Sequence, residues 1–149
     1  MPANTDPIWS KAGVISGVEV TAANTKSDGS GTIGTDIFLA ATVDATNGGF
    51  VRDVTFWPTA TTAGTATTAT VGRVFASSAS SGATTASNTY PMGEATLASQ
   101  TADSSSVAVY PVVVPINRAL PAGYSILVTN HAAPAANTKW KAVVNYGSY

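Results

Sequence analysis

Short runs of β-branched and aromatic residues, separated by glycine, serine, threonine and asparagine, dominate this sequence. Apolar residues rarely recur at steps of three and four for more than one turn, so the pattern does not predict an amphipathic helix. Short strands interrupted by turn residues are typical of all-β sandwiches and barrels rather than of βαβ units. The sequence predicts an all-β domain with strands over residues 14–20, 36–43, 50–57, 71–77, 92–98, 107–116, 124–129 and 139–146.

Alternation within these strands predicts the core, because successive residues of a strand point to opposite sides. Phe50, Val54 and Phe56 share one phase. Arg52 falls on the same phase, which indicates a bulge or a sheet edge there. In strand 107–116 prolines occupy the other phase and cannot donate to a ladder, so we expect an edge or an interruption. The remaining predicted core residues are Ala108, Tyr110, Val112, Val114, Ile116, Tyr124, Ile126, Val128, Trp140, Ala142, Val144 and Tyr146.

The phase of strand 71–77 stays open, since the adjacent Val74 and Phe75 cannot both point inward. Two low-complexity stretches, 59–70 and 76–89, flank this strand. They are either disordered or, as we favour, long surface loops at one end of the domain. Before strand 50–57, Asn-Gly-Gly is a strong tight-turn signal.

The chain of 149 residues is the length of one domain. Residues 1–12 lack a strand pattern and are predicted to form an extended arm, followed by a single β domain over 13–149. The N-terminus has neither a basic start nor an apolar stretch, so we expect no secretory signal. The apolar run over 107–116 is too short to cross a bilayer, which takes about 20 residues, so we expect no membrane partner.

Composition excludes several classes of function. Seven Lys and Arg against eight Asp and Glu give a net charge of −1, which argues against a nucleic-acid binder that must displace counterions from phosphates. The absence of cysteine excludes disulfides, thiolate metal sites and cysteine nucleophiles. It also fits assembly in a reducing cytosol.

No residue pattern predicts catalysis, a cofactor or a metal. His131 is the single histidine and is expected to be a loop residue. The Gly-x-Gly-x-x-Gly spacing at 29–34 precedes a strand instead of a helix, so it does not predict a phosphate site. The carboxylates are scattered, and Asp28 with its neighbours supplies too few ligands for calcium.

Large side chains outside the predicted core are the candidates for partner binding. Trp57 stands at a strand end before a proline, where it either packs at the rim of the domain or binds a partner. Ile8 and Trp9 lie in the predicted arm, and Tyr149 is the final residue. We therefore predict Ile8, Trp9, Trp57 and Tyr149 as partner-binding residues.

Four segments resemble small virion-associated proteins of tailed bacteriophages. They are 119–129 (ALPAGYSILVT), 140–149 (WKAVVNYGSY), 49–58 (GFVRDVTFWP) and 71–75 (VGRVF). The resemblance implies an antiparallel β-sandwich of jelly-roll type over 13–149. It implies no catalytic residue and no cofactor.

The resemblance also implies a structural part of the virion, specifically a capsid decoration (cement) protein on the outside of the head. Its partner would be the major capsid protein, and we expect a homo-oligomer, with a trimer favoured at local three-fold positions. The alternative is a tail or fibre protein that recognises a host surface glycan, because jelly rolls serve both tasks. A small hydrolase is the third possibility, disfavoured by the single histidine.

Overall fold

A computed structural model describes residues 12–149. In this range the chain forms ten strands. They are β1 (Ala12–Val20), β2 (Gly31–Thr32), β3 (Phe38–Thr42), β4 (Gly49–Ala60), β5 (Thr70–Ser77), β6 (Ala83–Thr84), β7 (Thr89–Leu97), β8 (Val112–Leu120), β9 (Ser125–Asn130) and β10 (Thr138–Ser148). Residues 12–149 hold no helix long and apolar enough to cross a membrane.

Eight strands build two four-stranded antiparallel sheets. The β1 sheet has the order β1-β10-β4-β8, the β3 sheet has the order β3-β9-β5-β7, and β2 pairs with β6 in a short ribbon. This interleaving of early and late strands across two facing sheets is the jelly-roll topology. The predicted all-β sandwich of jelly-roll type is therefore confirmed.

The inner faces of the two sheets meet in one core. Trp140, Phe56 and Leu97 are among its largest fully buried side chains. The indole Nε1–H of Trp140 donates to the carbonyl oxygen of Thr68 at 3.0 Å, which supplies the acceptor that a buried tryptophan needs. The predicted core residues that the structure buries are Val54, Phe56, Val114, Ile116, Ile126, Val128, Trp140, Ala142 and Val144.

A bulge at Arg52 inverts the first part of β4. The register with β10 shifts by one residue there, so Arg52 has no partner in that ladder. On the N-terminal side of the bulge, Val51 is fully buried, while Phe50 is half-buried on the outward side of the sheet. Of the two alternatives at Arg52, a bulge or a sheet edge, the structure shows the bulge. Because the bulge changes the phase, the prediction that Phe50 faces the core is wrong.

Strand β8 runs at the edge of the β1 sheet, as its prolines predict. It begins at Val112, so the prediction that Ala108 and Tyr110 belong to the core is wrong, and both are exposed. The side-chain amide of Gln100 donates to the carbonyl oxygen of Tyr110 at 2.8 Å and accepts its N–H at 2.7 Å. A side chain, not a neighbouring strand, therefore satisfies the backbone at this point.

Val74 and Phe75 are both buried, on opposite sides of β5. Val74 belongs to the main core, whereas Phe75 packs with Ile37 and Leu127 in a second, smaller cluster. Segment 21–37 crosses the outer side of the β3 sheet and covers this cluster. The unclear phase of this strand thus reflects burial on both of its faces.

The two low-complexity stretches lie at opposite ends of β5, so the prediction of one shared end is wrong. Residues 61–69 lead into β5 and residues 78–88 leave it. Thr67 in the first stretch is buried, and its backbone N–H donates to the carbonyl oxygen of Gln100 at 2.9 Å. Strand β1 begins at Ala12, the last residue of the predicted arm, and residues 1–11 of that arm lie outside the described residues.

Candidate docking surface

The outward side of the β1 sheet, termed the open face below, differs from the outward side of the β3 sheet. Segment 21–37 covers part of the β3 sheet, where the hydroxyl of Thr84 also donates to the carbonyl oxygen of Gly29 at 2.7 Å. On the open face large apolar side chains remain in solvent, with Ile15 76%, Val113 54% and Trp57 40% exposed. Because these three side chains share one sheet face, that face is the candidate interaction surface.

The pairing register determines which residues share the open face, because directly paired residues in an antiparallel ladder point to the same side. Four strands at about 4.8 Å spacing and nine residues at about 3.3 Å give a flat area of roughly 500–600 Å². The central rows are Ile15, Asn145, Asp53 and Pro115, then Gly17, Val143, Thr55 and Val113, then Glu19, Lys141 and Trp57.

Apart from Lys141, the polar side chains in the central rows of the open face are paired. The carboxylate of Asp53 accepts the side-chain N–H of Asn145 at 2.6 Å and the hydroxyl of Thr55 at 3.4 Å. At the Trp57 end, Nζ of Lys139 lies 2.7 Å from Oε2 of Glu19. Covering this face with another surface therefore leaves few polar groups without partners, which keeps the cost of desolvation low.

A tight turn closes the other end of the open face. The carboxylate of Asp44 accepts the backbone N–H groups of Asn47 at 2.7 Å and Thr46 at 2.9 Å. These two hydrogen bonds lower the pKa of Asp44 below its ordinary value of 3.8, with the Asn47 amide the larger cause. Gly48 has a φ of 78°, which confirms the predicted turn before β4.

The structure places two of the predicted partner-binding residues, Trp57 and Tyr149, at opposite ends of the β1 sheet. Trp57 lies on the open face opposite Lys141 in β10. Tyr149 is half-buried beside the Asp44 turn, with its backbone N 3.5 Å from the carbonyl oxygen of Gly48. Trp57 lies eight positions after Gly49, the β4 residue at the Tyr149 end of the sheet, a distance of roughly 26 Å along the strand. Ile8 and Trp9 lie outside the described residues.

Sequence reasoning missed Ile15 and Val113 as surface residues. Ile15 alternates in β1 with Gly13, Gly17 and Glu19, and this phase is the outward one. Val113 shares the outward phase of β8 with Pro115. In both strands the alternation shows which residues point away from the core. It does not show that no other part of the chain covers the outward side.

His131 takes part in a polar clasp away from the open face. Its Nδ1 lies 3.4 Å from both terminal nitrogens of the Arg73 guanidinium. The same guanidinium donates to Glu94 at 3.2 Å and to the carbonyl oxygen of Asn24 at 3.4 Å. The clasp ties β5 and β7 to the segment that follows β1. Among residues 12–149, no three His, Asp or Glu side chains come together in a group that would hold a metal ion.

Comparisons with known proteins give one structural likeness. No protein-family model matches this chain, and no curated protein sequence matches it. Among solved structures, the chain is similar to one described as "Cyanophage Pam1 capsid asymmetric unit". The TM-score is 0.40 and the identity 16%, and the match covers 98% of this chain and 91% of that one.

Proposed function

We propose that this chain is a structural protein of a tailed-phage virion, and specifically a capsid decoration protein that binds the outside of the assembled head through its open face. The observation that carries the proposal is the flat outward side of the β1 sheet, on which Ile15, Val113 and Trp57 are exposed. The resemblance of segments 49–58 and 119–129 to virion-associated proteins supports the same class of function. Its partner in this proposal is the major capsid protein.

The open face suits a large, low-charge contact. A standard protein interface takes about 800 Å² from each partner, so roughly 500–600 Å² of sheet face supplies most of one. Only 10% of the residues are charged, and Asp53 and Glu19 on this face are already paired. Binding here depends on shape and apolar contact, with little contribution from long-range attraction between charges.

The proposed mechanism is linkage to assembly. A protein that binds the assembled shell and not its separate subunits stabilises the shell by RT ln(1 + [L]/Kd) at each site, about 2.7 kcal/mol at one hundred times Kd. Many copies acting together then resist loss of subunits. We propose no catalytic role, no cofactor and no metal for this chain. We further propose that it acts as a homo-oligomer, is made in the host cytoplasm and resides on the capsid surface.

The test is binding to heads of the encoding phage from which this protein has been removed. Val113→Lys places a charge on the open face, and Tyr90→Lys places one at a similarly exposed position on the β3 sheet. We expect saturable binding of the unaltered protein, about ten-fold weaker binding of Val113→Lys and little change for Tyr90→Lys. Equal binding by both variants would contradict docking through the open face, and no binding by the unaltered chain would contradict the decoration role.

A tail or fibre protein that recognises a host glycan is the second candidate, favoured by one observation. Trp57 is 40% exposed at the end of the open face, and an exposed indole provides a flat apolar surface on which a sugar ring stacks. A glycan array with the unaltered protein and with Trp57→Ala separates the two functions. Hits that disappear in Trp57→Ala support the glycan function, and their absence supports the decoration role.

A further inference from the structure

The two sheets have four edge strands, β1, β8, β3 and β7. Three of these strands carry features that discourage pairing with another strand. β8 contains Pro115 and β7 contains Pro91. β3 has five residues and a register shift at Ala40. β1 is different: it has nine residues, no proline, and an unbroken register with β10 from Ala12 to Val20. Proteins normally block edges of this kind, because unpaired N–H and C=O groups attract another strand.

The side chains of β1 indicate what kind of strand could pair with this edge. Ile15 is 76% exposed at this edge and stands between Gly13 and Gly17 on the open face. Glycine is unfavourable inside a strand, yet a Cβ added at Gly13 meets no atom of residues 12–149 within 4 Å, and its φ is not positive. Contacts within residues 12–149 therefore do not explain why position 13 is a glycine. A glycine in a strand is expected where another backbone or a large side chain comes close.

We propose that β1 pairs antiparallel with β1 of a second copy of this chain, across a two-fold axis at Ile15. In this register Ile15 of one copy lies opposite Ile15 of the other, and Gly13 lies opposite Gly17. Each Ile15 side chain then packs on its counterpart and over the diagonal glycines. The pattern of β1 is self-complementary about Ile15, which is the requirement for a contact that uses the same patch on both subunits.

The two β1 sheets join into one eight-stranded sheet, and both open faces lie on the same side of it. The pairing itself does not depend on the proposed function.

Cysteine crosslinking tests the register directly, because the chain contains no cysteine. Directly opposite residues in an antiparallel ladder have Cα atoms about 4.5–5.5 Å apart, within the range that a disulfide spans. Under mild oxidation we expect Ile15→Cys to give mostly disulfide-linked dimer on a non-reducing gel. Val113→Cys, on the other edge of the same sheet and 54% exposed, is the matched control and is expected to stay mostly monomeric on that gel. Equal crosslinking of the two variants, or none at Ile15→Cys, overturns the proposal.

Sedimentation of the unaltered protein gives the second readout. We expect a concentration-dependent dimer, and for Ile15→Lys a dissociation constant at least about ten-fold higher, because two lysines then lie opposite each other at the axis. At concentrations below the dissociation constant of the dimer, the Tm of this variant stays close to that of the unaltered protein, since Ile15 is largely exposed in the single chain. A monomer, or a trimer that Ile15→Lys leaves intact, contradicts the β1 contact. These results are obtained without capsids, so they are independent of the binding test above.

Discussion

Phe75 belongs to the second cluster, on the outward side of the β3 sheet, and we predict that it contributes strongly to the stability of the protein. Phe75 is 1% exposed and packs with Ile37 and Leu127 beneath segment 21–37. Phe75→Ala removes the ring but leaves Val74 and the main core untouched. Because segment 21–37 covers this ring, the substitution leaves a cavity that the surrounding residues fill only in part.

The size of the effect follows from burial and from the position of the cluster. Truncation of a buried phenylalanine to alanine costs about 3–5 kcal/mol. On one side this cluster is covered only by segment 21–37, which can move into the space that the ring leaves. We therefore expect a loss at the lower end of this range, about 3 kcal/mol. Domains of this size have a free energy of unfolding of about 5–15 kcal/mol, so the loss is a large fraction of the total.

Urea unfolding followed by tryptophan fluorescence measures this loss. With an m value of about 2 kcal/mol per molar urea, the midpoint falls by about 1.5 M. Val113→Ala, at an exposed position on β8, is the control and is expected to change the free energy of unfolding by less than about 0.5 kcal/mol. Hydrogen exchange adds a local measurement, because the N–H of Asn24 donates to Asn130 at 2.7 Å and that of Ile33 to Gly82 at 2.9 Å. Faster exchange at these two amides in Phe75→Ala indicates that the segment has loosened.

A loss below about 1 kcal/mol for Phe75→Ala, with unchanged exchange at those amides, would refute the reasoning. It would mean that the segment does not depend on the ring beneath it. The double substitution with Leu127→Ala gives a further check. The two side chains belong to the same cluster, so their effects are expected to deviate from additivity by at least about 0.5 kcal/mol.

Three further predictions concern the turn beside Tyr149 and the predicted arm. Gly48→Ala is expected to lower the free energy of unfolding, measured in urea, by more than about 1 kcal/mol. The φ of Gly48 is positive, and the new Cβ falls against the carbonyl oxygen of Leu120. An unchanged urea midpoint would contradict this prediction. The Asn47 and Thr46 amides lower the pKa of Asp44, so this contribution to stability is present above the unfolded-state value and is lost as the pH falls through the lower folded-state value. The Tm of Asp44→Ala is accordingly expected to lie below that of the unaltered protein at pH 7 and to approach it near pH 2, whereas an equal gap at both would count against the charge. Deletion of residues 1–11 is expected to weaken head binding without lowering the Tm, and unchanged occupancy on purified heads would show that the predicted arm is not used.

Much of the fold was predictable because it depends on local rules. The pleat gives side chains a period of two, and this placed Val54, Phe56 and Trp140 in the core. Proline has no N–H to donate, which placed β8 at an edge. The apolar phase of Arg52 indicated the bulge, although the residues before it could be assigned only once its consequence for Phe50 was known.

Other features depended on contacts between distant parts of the chain. Tyr110 sits in an apolar run that resembles a strand, but the side chain of Gln100 holds its backbone outside β8. The phase of Val74 and Phe75 could not be assigned from the sequence, because Phe75 is buried by residues some forty positions earlier. The candidate surface was only partly predictable: Trp57 was identified, whereas Ile15 and Val113 were not.

The sequence by itself determined the structural class, the turn at Gly48, the edge position of β8 and most of the core, because each follows from the geometry of a few adjacent residues. Only the tertiary structure decided which outward face is covered. Segment 21–37 folds over the β3 sheet, and the β1 sheet keeps Ile15, Val113 and Trp57 in solvent. Alternation shows that a side chain points away from the core, but whether another part of the chain covers it depends on the path of residues far away in sequence.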